Sequence, residues 1–257
     1  MTAMTRAAAR PAWVELATDD PAAARTFYGE LFGWQIEVSP DLQYGGYGMA
    51  RLAEGDGDVA GITAKMMPEA PTAWSLYLGT DDADALSAAV TTAGGSVIAP
   101  PFDVGEMGRM AVFADPTGAV ISAWQAGRMR TFRAGEANTF GWAEVSARGI
   151  DRARAFYETV FGWTSETAPM GEGQPDYTSF LADGETILGG MEMMPMVPAE
   201  VPSYWMPYFN VEDVDGAFER AIGLGATELV GPGYMPGGRF AIVQDPQGAS
   251  FGLLKLE

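Results

Sequence analysis

The sequence predicts an α+β protein of two tandem domains, each made of two βαβββ units with mixed sheets, four units in the chain. Three observations predict it. The first is duplication: Trp13, Glu15, Phe27, Tyr28, Phe32, Gly33 and Trp34 return 129 residues later as Trp142, Glu144, Phe156, Tyr157, Phe161, Gly162 and Trp163, too many rare residues to align by chance. The second is a change of period within each half, from strand alternation to helical spacing and back to short strands. The third is the run Asp-Pro-x-Gly-Ala, at Asp115–Ala119 and again at Asp245–Ala249, a strong hairpin-turn signal.

Trp13 to Thr18 alternates, with Val14, Leu16 and Thr18 on one face and Trp13, Glu15 and Ala17 on the other. Asp20 is a helix cap with Pro21 at the first helical position. Ala24, Phe27, Tyr28 and Leu31 follow at helical spacing, and Gly33 supplies the stop. Short strands with glycine-rich turns then run to about Met67. Leu76, Leu78 and Thr80 open the second unit, and Asp82 opens its helix, which carries Leu86 and Val90 and ends at Gly94-Gly95. The counterpart helix, opened by Asp213, places Val214, Ala217, Phe218 and Ala221 on one side. The expected divisions are a disordered tail over 1–10, a first domain over 11–126, a linker over 127–137 and a second domain over 138–257.

Composition removes several classes of function. The chain has no cysteine and no histidine, so it lacks a thiolate nucleophile, a disulfide, the usual base near neutral pH and the commonest metal ligand. A formal charge of −19 repels nucleic acid and anionic membranes. No apolar run is long enough to span a bilayer, and no glycine-rich nucleotide loop or nucleophile elbow is present. The expected location is cytoplasmic.

The run Trp13-Val-Glu-Leu-Ala-Thr-Asp-Asp-Pro21, followed by Phe27-Tyr28 and Phe32-Gly-Trp34 and later by Asp-Pro-x-Gly-Ala, resembles the vicinal oxygen chelate (glyoxalase/bleomycin resistance/dioxygenase) superfamily, and within it the tandem two-domain actinobacterial branch. The resemblance covers nearly the whole chain. It implies that paired units curl into U-shaped mixed sheets whose concave face takes the ligand. It also implies where metal-using members put their ligands: here Trp13, Gly61, Ser75 and Ser122 in the first domain and Trp142, Gly190, Met206 and Gly252 in the second, with the glycine position good to one residue. None of these carries the expected histidine or carboxylate, so no metal and no other cofactor is expected.

Glu15 and Glu144 are the candidate catalytic bases, two residues on from Trp13 and Trp142 and on the same strand face; the competing reading makes them scaffold carboxylates copied into both repeats. Tyr77 and Tyr208, on the face of Ser75 and Met206, suit stacking on an aromatic ligand. Arg109 and Arg239 are expected to grip a ligand anion or to pair with Glu15 and Glu144. Trp124, on the face of Ser122, has Leu254 as its counterpart. The positions from Trp142 to Gly252 and Leu254 are the more apolar set with less bulk, so an aromatic ligand is expected in the second domain. The expected partner is a small hydrophobic or aromatic molecule, bound for sequestration, resistance or accessory work in natural-product metabolism. A metal-independent enzyme (hydroxylase-like or lyase-like) using Glu15 or Glu144 is the alternative, and a glyoxalase-type lyase a weaker one. Because tandem fusion supplies the surface that single-domain relatives obtain by dimerising, a monomer or weak homodimer is expected.

Overall fold

The computed structural model describes residues 9–129, 132–171, 173–235 and 237–256. Among these residues each repeat gives eight strands and two α-helices, and the first adds a short 3-10 turn over Leu42–Tyr44. The first runs β1 (Pro11–Thr18), α1 (Pro21–Phe32), β2 (Gln35–Val38), β3 (Gly48–Arg51), β4 (Asp58–Ala64), β5 (Ala73–Gly79), α2 (Ala83–Thr92), β6 (Ser96–Val104), β7 (Gly108–Ala114) and β8 (Val120–Ala126). The second runs β9 (Phe140–Ala147), α3 (Ile150–Phe161), β10 (Thr164–Ala168), β11 (Tyr177–Ala182), β12 (Glu185–Glu192), β13 (Tyr204–Asn210), α4 (Val214–Gly223), β14 (Thr227–Met235), β15 (Gly238–Gln244) and β16 (Ser250–Leu256). The sheets have orders β2-β3-β4-β1-β5-β8-β7-β6 and β10-β11-β12-β9-β13-β16-β15-β14. In every unit the first strand pairs in parallel with the last, as β1 does with β4 and β13 with β16, and the other pairs are antiparallel. This is the α+β, βαβββ architecture that the sequence predicts. No helix among the described residues is long and apolar enough to cross a membrane.

Local chemistry explains the helix ends. Asp20 accepts the N–H groups of Ala22 and Ala23 at 3.1 and 3.0 Å, and Gly33 closes α1 at φ +71°, a backbone state open to glycine. The second repeat has Gly149 where the first has Asp20. Its cap comes from Glu192 at the end of β12, whose carboxylate accepts from the N–H groups of Gly149 and Ile150 at 2.8–3.0 Å. A carboxylate at a helix start also meets the positive end of the helix dipole.

The residues cluster into two compact units, and each mixes the repeats: one holds Met1–Ala12, Leu76–Arg130 and Ala143–Trp205, the other Trp13–Ser75, Thr131–Trp142 and Met206–Glu257. In the second of these, Trp74 Nε1–H donates to the Tyr28 hydroxyl at 3.0 Å, and that hydroxyl donates to Asp245 Oδ2 at 2.9 Å. Asp245 Oδ1 meanwhile takes the N–H groups of Gln247 and Ala249, closing the Asp-Pro-x-Gly turn. The first unit repeats the relay: Trp205 to Tyr157 at 2.7 Å and Tyr157 to Asp115 at 2.8 Å. Both tyrosines are fully buried, and rings pack around each, Phe32, Trp34, Trp74 and Phe251 around Tyr28, and Phe161, Trp163, Phe180 and Trp205 around Tyr157.

Residues 1–8 of the expected tail lie outside the described residues, as do Arg130 and Thr131 of the expected linker. The last two tail residues are held in the fold. Ala9 donates to the Phe161 carbonyl at 3.0 Å, its own carbonyl accepts Trp163 Nε1–H at 2.6 Å, and Arg10 pairs with Glu185 at 3.0 Å.

Replacing Tyr28 or Tyr157 with Phe strands a buried carboxylate oxygen and an indole N–H, so each is expected to lower stability by about 1–3 kcal/mol, read by urea unfolding. Burial above all, with the neighbouring aspartate, pushes both hydroxyls well above their ordinary range. In the unfolded chain they titrate near 10. Because the folded value is the higher one, their stabilisation is complete below about pH 10 and is lost as pH rises beyond it. The Tyr→Phe variants are therefore expected to show a shallower alkaline loss of stability than the parent.

Candidate functional site

Strand alternation in β1 puts Val14, Leu16 and Thr18 in the core and turns Trp13 and Glu15 to the other face. Trp13 Nε1–H donates to the hydroxyl of Tyr47 at 2.9 Å, and Tyr47 donates to Glu15 Oε2 at 2.7 Å. Tyr47 comes off a turn in which Gly45 and Gly46 both have positive φ. Glu15 lies opposite Gly61 in the β1–β4 register. A Cβ on Gly61 would fall 1.9 Å from the Tyr47 hydroxyl, so the glycine makes room for that oxygen.

The second repeat preserves the arrangement. Tyr177 donates to Glu144 Oε2 at 3.3 Å, Glu144 lies opposite Gly189, and a Cβ on Gly189 would fall 1.9 Å from the Tyr177 hydroxyl. The register thus makes Gly189, one residue before Gly190, the partner of the glutamate. Tyr47 and Tyr177 were not among the residues the sequence singled out. Their signal is the repeat itself, since they stand 130 residues apart just after glycine-containing loops.

The remaining candidates fall into pairs within the units. Tyr77 and Ser122 are register partners and both are buried. Tyr208 is the register partner of Gly252, and a Cβ there would lie 1.9 Å from Tyr208 Cδ1. The bulk missing at Gly252 is therefore filled by the Tyr208 ring, which corrects the expectation that it leaves open space. Met206 and Leu254 are buried, while Ser75 is half-buried. Trp124 lies against Gly108, whose Cβ would come within 2.5 Å of the ring, and its Nε1–H points to the Met129 carbonyl at 3.4 Å. Of the seven tryptophans, Trp142 alone is half-buried and the other six are buried.

Arg109 and Arg239 do not take Glu15 or Glu144 as their ion-pair partners. Arg109 forks onto Asp84 with two bonds of 3.0 Å and adds Asp103 at 2.9 Å. Arg239 forks onto Asp215 with two bonds of 2.6 Å and lies over the Tyr234 ring at 4.6 Å. Asp84 and Asp215 both stand in the first turn of a helix, so the arginines tie α2 to β7 and α4 to β15. Their hydrogen bonds hold Asp215 below the usual carboxylate range and raise Arg109.

The family model for the Glyoxalase/Bleomycin resistance protein/Dioxygenase superfamily matches residues 10–122 and 139–253. CFP32 of Mycobacterium tuberculosis, whose name carries a proposed glyoxylase activity, is 40% identical over 252 residues, covering 95% of this chain and 94% of that protein. The anthracycline biosynthesis protein DnrV of Streptomyces peucetius is 36% identical over 271 residues, covering 98% and 96%. Among solved structures, the Mn(II)-bound glyoxalase from Novosphingobium aromaticivorans superposes with a TM-score of 0.68 at 17% identity, covering 98% of this chain and 84% of that one. The 2,3-dioxygenase LapB from Pseudomonas sp. KL28 gives 0.65 at 14% identity, covering 97% and 92%. The chain belongs to the Glyoxalase/Bleomycin resistance protein/Dioxygenase superfamily.

The donor set does not fit a metal of the kind such relatives hold. An indole N–H offers no lone pair, glycine has no side chain, and serine and thioether donors bind divalent ions weakly. Among the described residues no group of three Asp or Glu side chains converges on one point. In each half the tyrosine–glutamate pair stands beside the first two positions that the resemblance would give to metal ligands. Gly61→Ala and Gly189→Ala must expel the tyrosine hydroxyl and break its bond to the glutamate. Each is expected to lower stability by about 1–3 kcal/mol, measured by urea unfolding. Equal stability of either variant with the parent would show that the pair is not held as described.

Proposed function

We propose that the protein binds a planar, hydroxylated aromatic metabolite without a metal, in a sequestering or accessory role in natural-product metabolism. The observation that carries this reading is the tyrosine–glutamate pair seated over a glycine in both repeats, next to a tryptophan on the same strand. A carboxylate accepts a hydrogen bond from a ligand hydroxyl, a tyrosine hydroxyl can give or take one, and an indole face takes the ring. The kinship with a protein named for anthracycline biosynthesis favours a natural-product setting.

A second reading, a metal-independent enzyme with Glu144 as base, draws on one difference between the halves. Tyr47 holds Glu15 Oε2 at 2.7 Å, whereas Tyr177 holds Glu144 Oε2 at 3.3 Å. The longer tyrosine bond is the one given up at less cost when a carboxylate takes a substrate proton.

Titration with 1,8-dihydroxyanthraquinone, followed by tryptophan fluorescence, tests the binding. Saturable quenching that shields Trp142 from acrylamide is expected. Glu144→Gln and Tyr177→Phe are expected to weaken it about tenfold, the equivalent of one lost hydrogen bond of about 1.4 kcal/mol. Variants that bind as the parent does would refute the assignment to this pair. Hydrogen–deuterium or epimerisation turnover of a carbon acid, abolished by Glu144→Gln, would favour the enzyme.

A further inference from the structure

Trp13 and Trp142 are repeat counterparts, yet Trp13 is 2% exposed and Trp142 is half-buried. Phe132, from the linker, packs on the buried one of the two. Phe132 presents its ring edge-on to Trp13, with centroids 5.6 Å apart and planes at 67°, and packs its other side toward Phe140 at 5.8 Å. That distance and angle are those of a favourable aromatic pair. We propose that Phe132 is a built-in occupant of the first-domain cluster: an aromatic ring from the chain's own linker, set on Trp13 in the place an external aromatic ligand would take, and held there by Arg133.

The latch is built from the neighbouring hairpin. Phe132 forms a parallel bridge with Asp58, and the Arg133 N–H donates to the Asp58 carbonyl at 3.0 Å. The Arg133 guanidinium reaches the Glu54 carbonyl and forks onto Glu136, with Nη2 to Oε2 at 2.8 Å. It lies over Gly55, where a Cβ would come within 2.6 Å of Nη1, and Gly55 and Gly57 both have positive φ. The hairpin between β3 and β4 thus keeps a bare backbone where the arginine lies. Arg133 holds Glu136 below the usual carboxylate range. Glu136 is exposed to 45% and Arg133 to 21%, and a surface ion pair of this kind contributes little net stability and weakens with salt. The latch is therefore reversible, whereas the ring contact beneath it is apolar.

Two consequences follow for the site. In the resting protein Phe132 covers Trp13, so a ring that stacks on a tryptophan meets Trp142 first. An aromatic ligand reaches the Trp13 ring only when Phe132 withdraws. The closure itself depends on no ligand, while its competition with one rests on the function proposed above.

Acrylamide quenching separates the two. With six of seven tryptophans buried, the parent is expected to show one accessible ring. Phe132→Ala is expected to double the accessible fraction, from one ring to two, by uncovering Trp13. Arg133→Ala, which leaves the ring in place, is expected to give an intermediate rise that no longer responds to salt, whereas quenching of the parent rises with salt as the Arg133–Glu136 pair is screened, and it serves if Phe132→Ala does not fold by circular dichroism. In the same proteins, 1,8-dihydroxyanthraquinone is expected to bind once per parent chain and twice per Phe132→Ala chain, with the second site removed by adding Glu15→Gln. Quenching unchanged in both variants overturns the proposal. Quenching that rises as expected without anthraquinone binding in any protein upholds the plug and refutes the small-molecule reading instead.

Discussion

The structure hangs on a buried chain of hydrogen bonds, tryptophan to tyrosine to aspartate, made twice. The aspartate belongs to a turn of one repeat and the tyrosine to a helix of the other, Tyr28 with Asp245 and Tyr157 with Asp115. A carboxylate buried to this degree is costly unless every oxygen is bonded. Here the turn's own N–H groups take one oxygen and the tyrosine takes the other. The partner that completes each turn therefore comes from the opposite repeat, and each relay lies within one of the compact units that mix the repeats. Duplication gave two copies of each part, and the relay exchanges them.

The candidate site inherits its precision from this scaffold. β1 and β9 are fixed by parallel pairing with β4 and β12, which sets Glu15 against Gly61 and Glu144 against Gly189. The glycines then admit a tyrosine hydroxyl, and that hydroxyl engages the glutamate. Each pair thus sets a hydroxyl against a carboxylate on the strand face turned away from the core, and under the function proposed above these are the groups that would meet the protons of a ligand. The arginines that the sequence offered as anion clamps are spent on joining helix to strand.

Much of the architecture was legible because it rests on local signals. The cap at Asp20, the stop at Gly33, the alternation of β1 and the two Asp-Pro-x-Gly turns each act within a few residues. What was not legible depends on partners far away in sequence. Tyr28 and Asp245 are 217 residues apart, and as single residues they read as a helix core position and a turn. Glu192 replaces a missing cap from 42 residues downstream. Tyr47 leaves a glycine turn with no period to betray its direction. Gly252 read as missing bulk, because the Tyr208 ring that lies over it comes from a different strand, β13. The Trp13 and Glu15 pairing was visible from alternation, but the hydroxyl that joins them was not.

The central claim is that the tyrosine–glutamate pairs do the work of recognition that a metal does in related folds. The most direct measurement is the affinity for 1,8-dihydroxyanthraquinone before and after exhaustive stripping with a strong chelator. The same dissociation constant in both preparations is the predicted result. Binding that disappears on stripping and returns with one equivalent of a divalent ion per site would contradict the account.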